Sequence, residues 1–223
     1  MSARQLKAVL FDLDGTVVDS APDLAAAANW LRQQVKGWEP LPYETLRPMV
    51  GAGARGMVGA AFGVAPGDAE FEALRDGFLA RYERCLLDQT AVFPEMQPLL
   101  GVLESQGLPW GIVTNKATRF TEPLLHGLGL TQRAAVVVCG DTTPHSKPHP
   151  APLLEAARRL GCDPGHCVYV GDDLRDVQAG RAAGMRTVAV GWGYLGRDVA
   201  VTEWGADAVV ESPRQLLNWL GLA

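Results

Sequence analysis

Two aspartates two residues apart, Asp12 and Asp14, close the apolar run Lys7-Ala-Val-Leu-Phe11 in the segment Asp12-Leu-Asp-Gly-Thr16. On extended backbone, residues two apart point the same way, so both carboxylates can face one space. Much later the chain repeats the device: an apolar run ends in Gly171-Asp172-Asp173, with Asp176 just beyond. Two like charges ~4 Å apart repel by about 4 kcal/mol at an effective dielectric of about 20. Gathering Asp12, Asp14, Asp172 and Asp176 therefore requires a cation among them, or a carboxyl that stays protonated. Oxygen ligands with no histidine among them select a hard cation, and magnesium is the expected one. Lys147 supplies one fixed positive charge, and Thr114 and Asn115 close a further apolar run.

A hard cation, a lysine and a carboxylate nucleophile suit phosphoryl transfer, where charge neutralisation and in-line placement supply most of the catalysis. In that chemistry Asp12 attacks phosphorus and becomes an aspartyl phosphate. Asp14 protonates the leaving alkoxide and then deprotonates the attacking water. Thr114, Asn115 and Lys147 bind phosphoryl oxygens. Asp12 and Asp172 hold magnesium directly with the main-chain carbonyl of Asp14, and Asp176 holds it through water.

The elements that must position these residues fall into two patterns. After residue 88, short apolar runs alternate with helical ones: strands at Trp110–Thr114, Ala134–Cys139, Cys167–Val170, Thr187–Val190 and Ala208–Val210, and helices over Pro94–Gln106, Pro150–Leu160, Leu174–Ala183 and Pro213–Leu220. A further helix carries Phe120, Leu124 and Leu128. Such alternation predicts an α/β, doubly wound, Rossmann-like parallel sheet covered on both faces, with ligands at the carboxyl ends of its strands. Residues 20–88 show no strand pattern. Ser20 and Asp23 have capping-box spacing before the alanine-rich Leu24–Val35, and Ala69–Leu87 places Phe71, Leu74, Phe78, Tyr82 and Leu86 on one stripe. The expected division is a core of residues 1–19 and 89–223 with an all-helical cap domain, 20–88, inserted after the first strand.

Composition narrows the classes. The 223 residues are 48% apolar and 20% charged with a formal charge of −5, so a core forms without staples and no basic face invites nucleic acid or anionic membrane. No stretch approaches the ~18 apolar residues of a membrane span. The four cysteines show no metal-ligand spacing and read as buried or idle thiols. A cytoplasmic protein, monomeric or homodimeric, acting on a small phosphorylated metabolite is the expectation.

Weaker signals surround this centre. Gly51-Ala-Gly-Ala-Arg-Gly56 matches G-x-G-x-x-G but lacks a preceding strand, so it reads as a cap loop, with Arg55 as the candidate grip on the non-phosphate end of the substrate. His145 and His149 flank Lys147 without a third histidine and read as loop residues. Asp173 reads as a hydrogen-bonding support, while Trp192 and Tyr194 either line the cleft or pack beneath the cap.

Asp-Leu-Asp-Gly-Thr at 12–16, Thr-Asn-Lys at 114–116, Ser-Lys-Pro at 146–148 and Gly-Asp-Asp-Leu-Arg-Asp at 171–176 resemble, in order, the four motifs of haloacid dehalogenase (HAD) superfamily phosphatases with a helical cap. Val17–Asp23, Val113–Lys116 and Lys147–Pro150 are similar to phosphoglycolate phosphatases. Gly53–Val58, Trp110–Lys116 with Arg119-Phe120, and Trp204–Asp207 are similar to bacterial N-acetylmuramic acid 6-phosphate phosphatases of cell-wall recycling. The resemblance implies a magnesium-dependent phosphomonoester hydrolase. Asp14 argues against a dehalogenase, which has no alkoxide to protonate. Lys36, the one cap lysine, lacks the context of a phosphonate hydrolase. A sugar phosphomutase differs mainly in whether sugar or water accepts the phosphoryl group. A non-catalytic phosphate-binding regulator would lack at least one of Asp12, Asp14, Lys147 and Asp172.

Overall fold

Strand β1 (Ala8–Phe11) is buried at every position, and so is the later run Cys167–Gly171. Continuous burial without alternation marks central strands covered on both faces. The computed structural model describes residues 6–196 and 199–222. Residues 1–5, 197–198 and 223, which the sequence assigns to the α/β core, lie outside them.

In chain order β1 is followed by β2 (Val18–Asp19), α1 (Ala21–Lys36), α2 (Tyr43–Leu46), α3 (Gly53–Phe62), α4 (Phe71–Glu83) and β3 (Ala91–Val92). Then come α5 (Met96–Ser105), β4 (Trp110–Val113), α6 (Thr118–Gly127), β5 (Val136–Val138) and α7 (Ala151–Leu160). The last elements are β6 (Cys167–Gly171), α8 (Leu174–Ala182), β7 (Arg186–Val190), β8 (Ala208–Val210) and α9 (Pro213–Leu220). The chain divides into two compact units, Met1–Val18 with Val92–Ala223, and Asp19–Ala91.

The first unit carries a parallel six-stranded sheet ordered β5-β4-β1-β6-β7-β8, the doubly wound architecture expected. From β1 the chain builds outward through β4 and β5, then returns to β6 on the other side of β1. The order reverses beside β1, which is where open α/β sheets bind ligands. Register sets the rest: Phe11 faces Ile112 on one side and Val170 on the other. The residues just past these three, from Asp12, Val113 and Gly171 onward, therefore emerge at one level. A separate two-stranded sheet pairs β2 with β3.

The second unit packs α1, α3 and α4 around Leu24, Leu31, Met57, Phe71, Leu74 and Phe78. Two details differ from the sequence reading. Ser20 sits at the N-cap of α1 without a side-chain cap bond. The Asp23 carboxylate, expected in a capping box, instead accepts from Gln89 N (3.0 Å), Thr90 N (2.8 Å) and Thr90 Oγ1 (2.7 Å). Three tertiary donors outcompete one local bond. The glycine-rich Gly51–Gly56 is not a loop either: a 3-10 turn, Arg47–Ala52, runs into α3, and Arg55 lies exposed in the first turn. Burial of Met57, Val58, Ala61 and Phe62 on one face of α3 overrides the weak helix propensity of its glycines.

All four cysteines are free, and Cys85, Cys139 and Cys167 are buried. Among the described residues, no helix is long and apolar enough to cross a membrane.

Candidate active site

Strand ends β1, β4 and β6 bring the candidate residues of the first unit together. Asp12 continues β1, its N–H bonded to Val170 O at 2.9 Å. Its Oδ1 accepts from Leu13 N at 2.7 Å and pairs with Lys147 Nζ at 2.9 Å. Burial pushes the Asp12 carboxyl up to about 7, against the pull of Lys147 and with the help of Asp176 and Asp14. Asp172 and Asp176 are buried, while the Asp12 side chain stays partly exposed. Oxygens of Asp12, Asp172 and Asp176 all lie within 4.8 Å of one another. Burial, then Asp12 and Asp176, hold the Asp172 carboxyl well above the usual range.

Lys147 is the counter-charge. Its buried ammonium reaches Asp12 (2.9 Å), Asp176 (2.8 Å), Tyr169 Oη (2.8 Å) and Val113 O (3.1 Å). Burial works to lower it, but Asp12 and Asp176 outweigh that and keep it above its ordinary value. The loop that presents it is clamped by Asn115, whose carboxamide accepts from Lys147 N (2.9 Å) and donates to Lys147 O (3.0 Å). Thr114, buried at the end of β4, accepts from Lys116 N through Oγ1 at 3.1 Å.

Three close carboxylates against one ammonium leave the cluster short of positive charge. The protein's own donors meet part of the need: Thr16 Oγ1 bonds Asp172 Oδ1 at 2.8 Å, and Tyr194 N bonds Asp172 Oδ2 at 2.7 Å. Backbone crowds close around this carboxylate. A Cβ at Gly15, where φ is +82°, or at Gly193 would stand 2.2 Å from an Asp172 atom, so both positions need glycine. The donor set is all oxygen and largely buried, with Asp172 held by two protein donors, and it fits a small hard cation.

Asp14 follows on the same loop, bridged to Val18, and its Oδ1 pairs with Lys116 Nζ at 2.9 Å. Asp173 caps α8, accepting from Arg175 N at 2.9 Å and pairing with Arg175 Nε at 2.7 Å. Burial would raise its carboxyl, yet the bonds from Arg175 hold it below the usual range. Asp176 completes that capping box through Asp173 N at 3.0 Å. Trp192 Nε1 donates to Thr16 O at 3.1 Å, and Tyr194 is buried. The His145 and His149 rings meet at a 36° tilt with centroids 4.3 Å apart on the exposed loop around Lys147. Arg55 belongs to the helical unit.

Thr16, Lys116, Tyr169 and Gly193 join the site without having been singled out for a role, and Tyr194, read as lining the cleft or packing beneath the cap, reaches Asp172 through its backbone N–H. Tyr169 had a readable signal. A tyrosine inside an otherwise aliphatic buried strand must find its hydroxyl a partner, and here that group also donates to Val113 O at 2.8 Å and lies 3.2 Å from Asp176. The others depend on which strands are neighbours.

Comparison with known proteins places this geometry. Residues 6–184 match the family model described as haloacid dehalogenase-like hydrolase. An N-acetylmuramic acid 6-phosphate phosphatase of Pseudomonas aeruginosa is 44% identical over 223 residues, covering 100% of this chain and 98% of that protein. A phosphoglycolate phosphatase of Xanthomonas campestris pv. campestris is 47% identical over 210 residues, 94% of each chain. The solved structure of a predicted phosphoglycolate phosphatase from Haemophilus somnus superposes with a TM-score of 0.85 at 27% identity, covering 96% of this chain and 98% of that one.

Proposed function

The chain belongs to the haloacid dehalogenase-like hydrolases, and from that premise we propose that it hydrolyses small phosphate monoesters through an aspartyl phosphate on Asp12. The observation that carries this reading is the Lys147 ammonium set between Asp12 and Asp176, with Asp172 beside them. In the first step a carboxylate oxygen of Asp12 bonds to phosphorus while the ester P–O bond breaks. The leaving oxygen keeps the electron pair and takes a proton from Asp14. In the second, Asp14 takes a proton from water, the water oxygen bonds to phosphorus, and the bond from Asp12 breaks to release phosphate. Lys147 and Thr114 face the phosphoryl oxygens; Asn115 contributes by holding the main chain of Lys147. Asp12, Asp172, Asp176 and the Asp14 carbonyl would hold magnesium, which would supply charge neutralisation at the transferring group.

The substrate reading is 2-phosphoglycolate, giving glycolate and phosphate, in the cytoplasm. The full-length similarity to the Pseudomonas relative favours a second reading, N-acetylmuramic acid 6-phosphate. Both molecules carry a carboxylate, and Arg55 is assigned to grip it. Side-by-side rates on the two substrates decide between them. Selectivity of about 100-fold, roughly 2.7 kcal/mol in transition-state binding, settles the choice. Failure to hydrolyse either one, or any other phosphomonoester, refutes the proposal.

A further inference from the structure

Lys147 serves the nucleophile and the acidic cluster; a second lysine stands on the other carboxylate. Lys116 Nζ lies 2.9 Å from Asp14 Oδ1, and the two side chains are only 9% and 18% exposed. Exposed ion pairs of long side chains hold no fixed geometry. This one is nearly covered, and the lysine's backbone is fastened on both sides. Its N–H donates to Thr114 Oγ1 at 3.1 Å, and its carbonyl accepts from Gly140 N at 2.9 Å and Thr121 Oγ1 at 3.3 Å. A Cβ at Gly140 would lie 2.2 Å from Asn115 O, so the segment is packed against its neighbour without slack. The pairing of β4 with β1 puts the two loops side by side.

An aspartate needs such a partner for geometric reasons. Its terminal torsion is broad and roughly two-fold, so a lone carboxylate swings freely between orientations. Proton transfer to a leaving oxygen needs heavy atoms within hydrogen-bond reach at the moment of bond breaking. Securing one oxygen from a rigid loop sets the direction of the other. Resting on the assignment of Asp14 as the acid–base group, we infer that Lys116 is a positioning residue: it pins Asp14 Oδ1 so that Oδ2 is aimed at the ester oxygen of the substrate.

The leaving group tests this, because an alkoxide needs its proton during bond cleavage and p-nitrophenolate does not. The measurement is kcat/KM of the magnesium-loaded full chain on p-nitrophenyl phosphate and on the faster of 2-phosphoglycolate and N-acetylmuramic acid 6-phosphate. For K116M the sugar or glycolate ester is expected to fall about 10- to 100-fold and the aryl ester less than about threefold, a part of the general-acid contribution. K116R, which keeps a cation at that place, is expected to recover most of the loss. K116Q takes the place of K116M if that variant does not fold. Equal losses on both substrates would make Lys116 merely structural, and a gain on the alkyl ester would make it a latch that holds Asp14 away; either outcome overturns the inference. D14N, run alongside, separates the two levels. If D14N itself shows no leaving-group dependence, the acid–base assignment fails; if D14N shows it and both neutral lysine variants do not, only the role of Lys116 fails.

Discussion

Two buried acidic sites in this protein are built on opposite principles. In the helical unit, Asp23 has no exposed surface, and the donors of Gln89 and Thr90 surround its carboxylate. In the α/β unit, Asp12, Asp172 and Asp176 crowd together around one lysine, and two of the three carboxyls are held above their ordinary range, chiefly by burial. The first site is complete within the chain. On the proposed function the second would be completed from outside the chain, by a cation and a phosphoryl group. A buried carboxylate is structural when the backbone meets its hydrogen-bonding capacity, and functional when the fold leaves it in electrostatic excess.

Substitution should separate the two sites. Asp12→Asn is expected to lower turnover more than about 1000-fold, roughly 4 kcal/mol, while leaving the melting temperature unchanged or raised, since it removes a charge from a repelling cluster. Near-normal turnover would end the assignment of Asp12 as nucleophile and erase the contrast. Asp23→Ala is expected to do the reverse. Orphaning donors in a buried place costs about 2–4 kcal/mol in denaturant unfolding, with turnover per folded molecule changed far less than by Asp12→Asn. If Asp23→Ala unfolds no more easily than the native chain, that site is not structural.

Metal titration sharpens the comparison further. Magnesium must displace whatever proton Asp12 holds, and in the metal-free protein that carboxyl is raised to about 7. Below pH of about 7 the proton competes, so affinity measured by calorimetry should fall about tenfold per pH unit from this group alone; above it, the dependence from Asp12 flattens. An affinity that is flat from about pH 5 to about pH 7 would place the metal elsewhere. The smallest effect is expected of Tyr169→Phe. Losing the hydroxyl that links Lys147, Asp176 and Val113 should lower turnover about tenfold or less, with the alkyl and aryl esters affected alike. A leaving-group-dependent loss there would tie Tyr169 to Asp14 instead of to Lys147.

Much of this was legible in the sequence because a strand end is a local event. Apolar runs that stop at Asp12 and at Gly171-Asp172 announce both a buried strand and what its carboxyl end carries, and spacing alone gives Asp14 and Asp176 their company. The same local reasoning misreads Gly51–Gly56 as a loop and Ser20 with Asp23 as a capping box. In both places distant residues outweigh local preference: an apolar face must be buried, and the segment at 89–90 claims the carboxylate.

The sequence by itself determined which chemistry the chain can perform, since residue types and their places at the ends of apolar runs are fixed by covalent order. Only the tertiary structure decided which side chains hold that chemistry in position. That β4 and β6 flank β1 brings Lys116 to Asp14, Tyr169 to Lys147 and the Thr16 hydroxyl to Asp172. Those pairs lie 102, 22 and 156 residues apart along the chain. Contacts at such separations follow from strand order, which the packing of the whole sheet selects and no short stretch of sequence records.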